Sequence, residues 1–123
     1  MNEETFWRVL NAICDLGDFI AAVPNSTASA NIVGQLRPGR DGGEKVLEKV
    51  QCHCHIHLMP KNVAKFNFTH LDAGFGAEPC VEVLTDNNEA ILKLYYRGGS
   101  ASRKFRDLME RNANDAQFIT GTW

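Results

Sequence analysis

Between Asp18 and Arg97 the chain is a succession of short alternating segments whose connections are too short to hold crossover helices. Parallel strands need a crossover of about a dozen residues or more, so a sheet built from these segments must be mainly antiparallel. Asp18 to Val23 reads as a first strand, closed by a turn at Pro24-Asn25-Ser26, and Ala28 to Leu36 as its meander partner. Arg37-Pro38-Gly39-Arg40-Asp41-Gly42-Gly43 reads as the most obvious loop of the chain. Glu44 to Val50 alternates, and a histidine-rich strand follows it to a stop at Pro60. Val63 to His70 alternates again, with Ala64, Phe66, Phe68 and His70 on one face. Asp72 to Pro79 is expected as a loop, and Cys80 to Leu84 with Ile91 to Arg97 as a hairpin around Thr85 to Asn88.

Helices are expected at both ends. Over Thr5 to Leu16, residues Phe6, Val9, Leu10, Ile13 and Cys14 recur at the spacing of one apolar stripe. Asn2 or Thr5 suits the cap, Glu3 and Glu4 suit the positive end of the helix dipole, and Gly17 suits the stop. A last helix, capped by Ser100 or Ser102, runs to about Asn112 with Phe105, Leu108 and Met109 inward. Phe118, Ile119 and Trp123 give the tail enough apolar surface to dock. The expected architecture is α+β, one domain over residues 1–123, a mainly antiparallel sheet flanked by N- and C-terminal helices.

A length of 123 residues suffices for one core without staples. A formal net charge of −2 gives no ground to expect nucleic acid or an anionic membrane as partner. No apolar run approaches the roughly 20 residues of a membrane span, and the acidic start lacks the basic and apolar regions of a secretory signal. The expected compartment is the cytoplasm. There the four cysteines, Cys14, Cys52, Cys54 and Cys80, are expected as reduced, buried thiols. Their spacing contains no C-x-x-C pair of the kind used by structural zinc sites.

The chemistry concentrates in Gln51 to Pro60, which holds three of the four histidines. Strand alternation sends Cys52, Cys54, Ile56 and Leu58 to one face and His53, His55, His57 and Met59 to the other. The second face is a row of nitrogen and sulfur ligands of the type used by haem iron and transition metals. His53 and His57 lie about 13 Å apart along a strand and cannot share one ion, so a metal site would pair His55 with one neighbour. No carboxylate spacing points at the strand to complete such a site. Haem requires less: one imidazole for iron, an apolar face to which Met59, Phe66 and Phe68 would contribute, and basic groups for the propionates. Lys61, Lys65, Arg37 and Arg40 are available for the last role, and His70 is the remaining histidine for a second axial position. Against both stands the ordinary reading, in which an outward strand face simply carries polar side chains. Nucleophilic and phosphate-binding motifs are lacking: Gly74-Phe75-Gly76 and Gly98-Gly99-Ser100 read as turns. The chain is not read as an enzyme.

In the order and spacing of its motifs the chain resembles the intracellular haem-utilisation carriers of the ChuX, HutX and HuvX type. The tryptophan-bearing helix TFWRVLNAICDLG, the segment Gly34-Gln35-Leu36-Arg37-Pro38-Gly39, the strand Cys52-His53-Cys54-His55-Ile56-His57-Leu58 and the late hairpin carry the similarity. The resemblance implies a saddle-like sheet, a homodimer, haem as ligand and a role in haem or iron utilisation. It implies His55 as the axial ligand of haem iron, from the histidine of the family's H-I-x-L pattern. His53, His57, Met59 and His70 are the accompanying candidates. The family's upstream histidine has no counterpart in Arg40-Asp41-Gly42-Gly43, and Pro60 replaces a charged position. The other functions weighed are a transition-metal module using an H-x-H pair and a ligand-free interaction domain of the same fold.

Overall fold

The computed structural model describes residues 1–24, 30–72, 76–98, 101–112 and 119–121. Helix α1 covers Glu3–Cys14, with the Asn2 side-chain oxygen accepting from the Thr5 N–H at 3.2 Å. It buries Phe6, Trp7, Val9, Leu10, Ile13 and Cys14, the stripe expected from the sequence together with Trp7. Gly17, at φ +144°, ends the excursion, and the Tyr96 hydroxyl donates to the Leu16 carbonyl at 2.8 Å.

Eight strands follow: β1 (Asp18–Val23), β2 (Ala30–Asp41), β3 (Glu44–Lys49), β4 (His55–His57), β5 (Lys65–Asp72), β6 (Ala77–Leu84), β7 (Ala90–Tyr96) and β8 (Ile119–Gly121). Helix α2 (Ala101–Arg111) lies between the last two. The strand order is β4-β3-β2-β1-β7-β6-β5-β8, antiparallel throughout except for β5 with β8. The chain is therefore an α+β domain with helices flanking a mostly antiparallel open sheet. Both helices pack on one face. Phe6 of α1 stacks on Phe66 at 5.6 Å, Phe105 of α2 meets the edge of Phe68 at 5.9 Å, and residues 66 and 68 of β5 point to the same side. Leu36, Leu47, Val81, Val83, Leu92 and Leu94 complete this core.

Parts of two expected loops are strand. Arg37 to Asp41 continues β2, and the turn shrinks to Gly42 and Gly43, with Gly42 at φ +62°. Pro38 is tolerated because β1 pairs β2 only as far as Gln35, so the missing N–H falls in a stretch with a partner on one side only. Likewise β6 begins at Ala77, with Pro79 opposite His70. The tail docks as expected at Ile119, which is buried where β8 joins β5. The expected turn at Asn25-Ser26, the Ser100 cap and the docking of Phe118 and Trp123 fall outside the described residues, as do Gly74, Phe75 and Gly99.

Candidate functional site

The histidine segment is not one continuous strand. Val50 to His53 turn sharply, Gln51 takes φ +62°, and the Lys49 N–H donates to the Cys54 carbonyl at 3.1 Å to close the loop. Only His55–His57 is strand, and Met59 precedes a 3₁₀ turn over Pro60–Asn62. The four-member ligand row expected from alternation is therefore broken. His53 sits in the turn, Met59 lies past the strand end, and His55 and His57 alone keep a common strand face.

The cysteine expectation divides in the same way. Cys14 and Cys80 are buried, and burial pushes each thiol up to about 12. Cys52 is half-buried and Cys54 exposed, because the turn removes them from the alternation that would have aimed them at the core. The Cys54 N–H donates to Cys52 Sγ at 3.2 Å. Hydrogen bonds from the Cys54 side chain and backbone hold the Cys52 thiol below its ordinary value, while the shared bond raises Cys54.

Hairpin register then assembles a site that local spacing does not display. Asp41 faces Glu44 across the two-glycine turn, and His57 pairs with Val46 and His55 with Glu48 across β3. Paired residues share a face, so Asp41, Glu44, Val46, Glu48, His55 and His57 all project to one side. Asp41 Oδ2 lies 3.2 Å from Nε2 of both histidines. His55 Nδ1 lies 3.1 Å from the His53 carbonyl oxygen, and His57 Nδ1 3.1 Å from Glu44 Oε2. The two rings meet edge to face at 5.0 Å. Val46, opposite His57 in register, is fully buried yet stands apart from the main core. Glu48 is held by Arg37 at 2.9 Å and lies over Gly39, where an added Cβ would strike its carboxylate.

The carboxylate overlooked in the sequence is Asp41. Its signal is Asp-Gly-Gly-Glu, which reads as a two-residue hairpin turn and so makes Asp41 and Glu44 strand neighbours rather than loop residues.

Beside His57 opens a cavity of about 770 Å³, lined by Trp7, Leu58, Met59 and Pro60 with Arg40, Lys45 and Lys61. A second, of about 510 Å³, shares His57, Leu58, Met59 and Lys61 and is bounded by Val23, Ile91 and Asp86. His57 and Met59 thus line both, while His55 lines neither. Phe66 and Phe68 are fully buried among α1, α2 and the sheet, so they contribute no ligand face. His70 is exposed on β5 and is not among the ligand atoms gathered at Asp41. Of the expected cations, Arg40 and Lys61 line the first cavity, whereas Arg37 is engaged with Glu48. Lys45, not singled out from the sequence, holds its ammonium 6.0 Å from the Trp7 ring centroid. The Trp7 indole Nε1 is buried and has no hydrogen-bond partner among the described residues.

No protein-family model matches the chain, and no curated protein sequence matches it. Solved structures do. A protein from Agrobacterium tumefaciens superposes with a TM-score of 0.64 at 14% identity, covering 90% of this chain and 67% of that one. A protein from Erwinia carotovora gives 0.63 at 15%, covering 93% and 73%. The heme-binding protein ChuX gives 0.57 at 12%, covering 93% and 72%. No helix among the described residues is long and apolar enough to cross a membrane. At these identities the likeness is one of backbone architecture: this chain has the fold of the heme-binding protein ChuX.

Proposed function

We propose that this chain binds haem and serves as a cytoplasmic haem carrier, assembled as a homodimer, with His55 as axial ligand to the iron. The fold shared with ChuX supports the ligand class. The observation that carries the reading is the cavity of about 770 Å³ lined by His57, whose ring meets that of the proposed ligand His55 at 5.0 Å. Its size falls in the range of about 300–1,000 Å³ typical of cofactor sites. Trp7, Leu58, Met59 and Pro60 offer an apolar wall, and Arg40, Lys45 and Lys61 offer cations for propionates.

His55 suits axial ligation in the tautomer that donates Nδ1–H to the His53 carbonyl, which leaves the Nε2 lone pair for a metal. His57 and Met59, which line the cavity, would border the ring, with His53 acting through its carbonyl. Haem itself would supply the iron chemistry; the protein supplies one imidazole, an apolar wall and counter-charges.

Titration of hemin into the purified protein should give a saturable Soret shift that His55→Ala weakens. No saturable shift would end the haem reading. A shift intact in His55→Ala but lost in His57→Ala would keep haem and move the ligand to the cavity histidine.

A further inference from the structure

We propose that Asp41, His55 and His57 form a binding site for one divalent first-row transition ion, of the zinc class, on the open face of the β2–β3–β4 edge. The proposal stands on the geometry of these three side chains and does not rest on the haem reading.

Three observations converge. The first is spacing. Donor atoms each about 2.0–2.1 Å from one ion, at angles between octahedral and tetrahedral, stand about 2.9–3.4 Å apart. Asp41 Oδ2 stands 3.2 Å from Nε2 of His55 and 3.2 Å from Nε2 of His57. All three ligand atoms lie within 4.8 Å of one another.

The second is hydrogen-bond accounting. The two rings face acceptor oxygens at every nitrogen: the His53 carbonyl and Asp41 for His55, Glu44 and Asp41 for His57. A neutral imidazole carries a single N–H, so each ring then directs one bare lone pair at an oxygen. Placing the protons on Nδ1, toward His53 and Glu44, satisfies both outer contacts and turns both Nε2 lone pairs toward Asp41. With both rings neutral, a dication at that point satisfies all the groups, and its two charges balance Asp41 and Glu44. The His57–Glu44 and His55–His53 contacts are the outer hydrogen bonds that orient metal-ligating histidines.

The third is ligand chemistry. Two imidazoles with one carboxylate select zinc, cobalt, nickel or copper over magnesium and calcium, which take oxygen donors. Three protein ligands on an exposed face leave further positions to water. Val46, buried opposite His57, gives the site a dry floor on one side.

The test is calorimetric titration of the untagged full chain with zinc chloride, paralleled by cobalt chloride followed through its visible absorption. One equivalent should bind. Asp41→Asn and His57→Ala should each weaken binding by more than the ~10–100-fold that disturbing an outer-sphere partner costs. Both positions are exposed, and circular dichroism checks that each variant folds. No saturable binding would overturn the proposal. So would binding unchanged in Asp41→Asn and His57→Ala, or abolished instead by Cys52→Ser with Cys54→Ser.

Discussion

Asp41 and His57 meet at 3.2 Å across a strand that belongs to neither of them. They project from β2 and β4, and β3 runs between. Strands two positions apart are separated by about 9.6 Å, so only side chains on one face, leaning toward each other over a small residue, close that distance. Val46, opposite His57 and Gly39, is the small residue of β3 on that face, next to the Glu44 that faces Asp41. The site therefore depends on two hairpins holding their registers together, and a one-residue slip in either would send Asp41 or both histidines to the opposite face.

Because His55 serves both the proposed iron ligation and the proposed dication site, the two ligands should exclude each other. Saturating zinc is expected to raise the apparent Kd for hemin, measured by Soret titration. Asp41→Asn, which disables the zinc site while leaving His55, should abolish that antagonism. Equal hemin affinity with and without zinc would show that the ligands do not share this imidazole.

Thiol reactivity should separate into two classes. Native protein treated with iodoacetamide should be alkylated first at Cys52, whose thiol is lowered by hydrogen bonds from Cys54 and from the backbone. Cys14 and Cys80 should label only on unfolding. Peptide mass spectrometry over a time course reads this order directly.

The same two buried thiols predict alkaline instability. Each has an ordinary value of 9.0 and is pushed to about 12 in the folded state. Above pH 9 the unfolded chain sheds these protons while the native state retains them, so stability falls as pH rises from about 9 to 12. Below 9 the contribution is constant. The urea midpoint should drop between pH 8 and 10.5, and drop less in a Cys14→Ala, Cys80→Ala double variant.

Phe105 ties α2 to the sheet, with ring centroids 5.3 Å from Tyr96, 5.9 Å from Phe68 and 6.2 Å from Phe19. Its removal leaves a cavity among these three rings. Phe105→Ala should cost about 3–5 kcal/mol by chemical denaturation, with loss of near-ultraviolet ellipticity from the released aromatics.

Gly17 should resist substitution for two reasons. Its φ of +144° is closed to L side chains, and an added Cβ would approach the Tyr96 ring and hydroxyl to 3.1 Å. Gly17→Ala is expected to destabilise by more than about 1 kcal/mol. Tyr96→Phe, which removes only the bond to Leu16, should cost about 0.5–1.5 kcal/mol. A thermal melt of both variants orders the two effects.

Elements with a local signal were legible in the sequence. The apolar stripe of α1, the Asn2 cap, β1, and the hairpin of β6 and β7 about Thr85 to Asn88 follow from periodicity and turn chemistry. Proline and glycine misled where context overrode them. Pro38 sits in a strand because that stretch has one partner, and Pro79 sits within β6 opposite His70. The alternation of the histidine segment holds for His55 and His57 but not for Met59 or for Cys52 to Cys54. There the left-handed Gln51 resets the direction of every side chain, and period two no longer applies.

What the sequence by itself determined is the class of fold and the residue types at hand: antiparallel strands between two amphipathic helices, and imidazoles close together on one short strand. Short connections and local periodicity suffice for that, since both act between near neighbours. The tertiary structure alone decided the company those imidazoles keep. Asp41 and Glu44 reach them through the register of β2, β3 and β4, and Phe66 and Phe68 are withdrawn from them by α1 and α2. Pairing between strands is a long-range choice, made by burying one face of the sheet, and no spacing along the chain encodes which carboxylate will arrive opposite which ring.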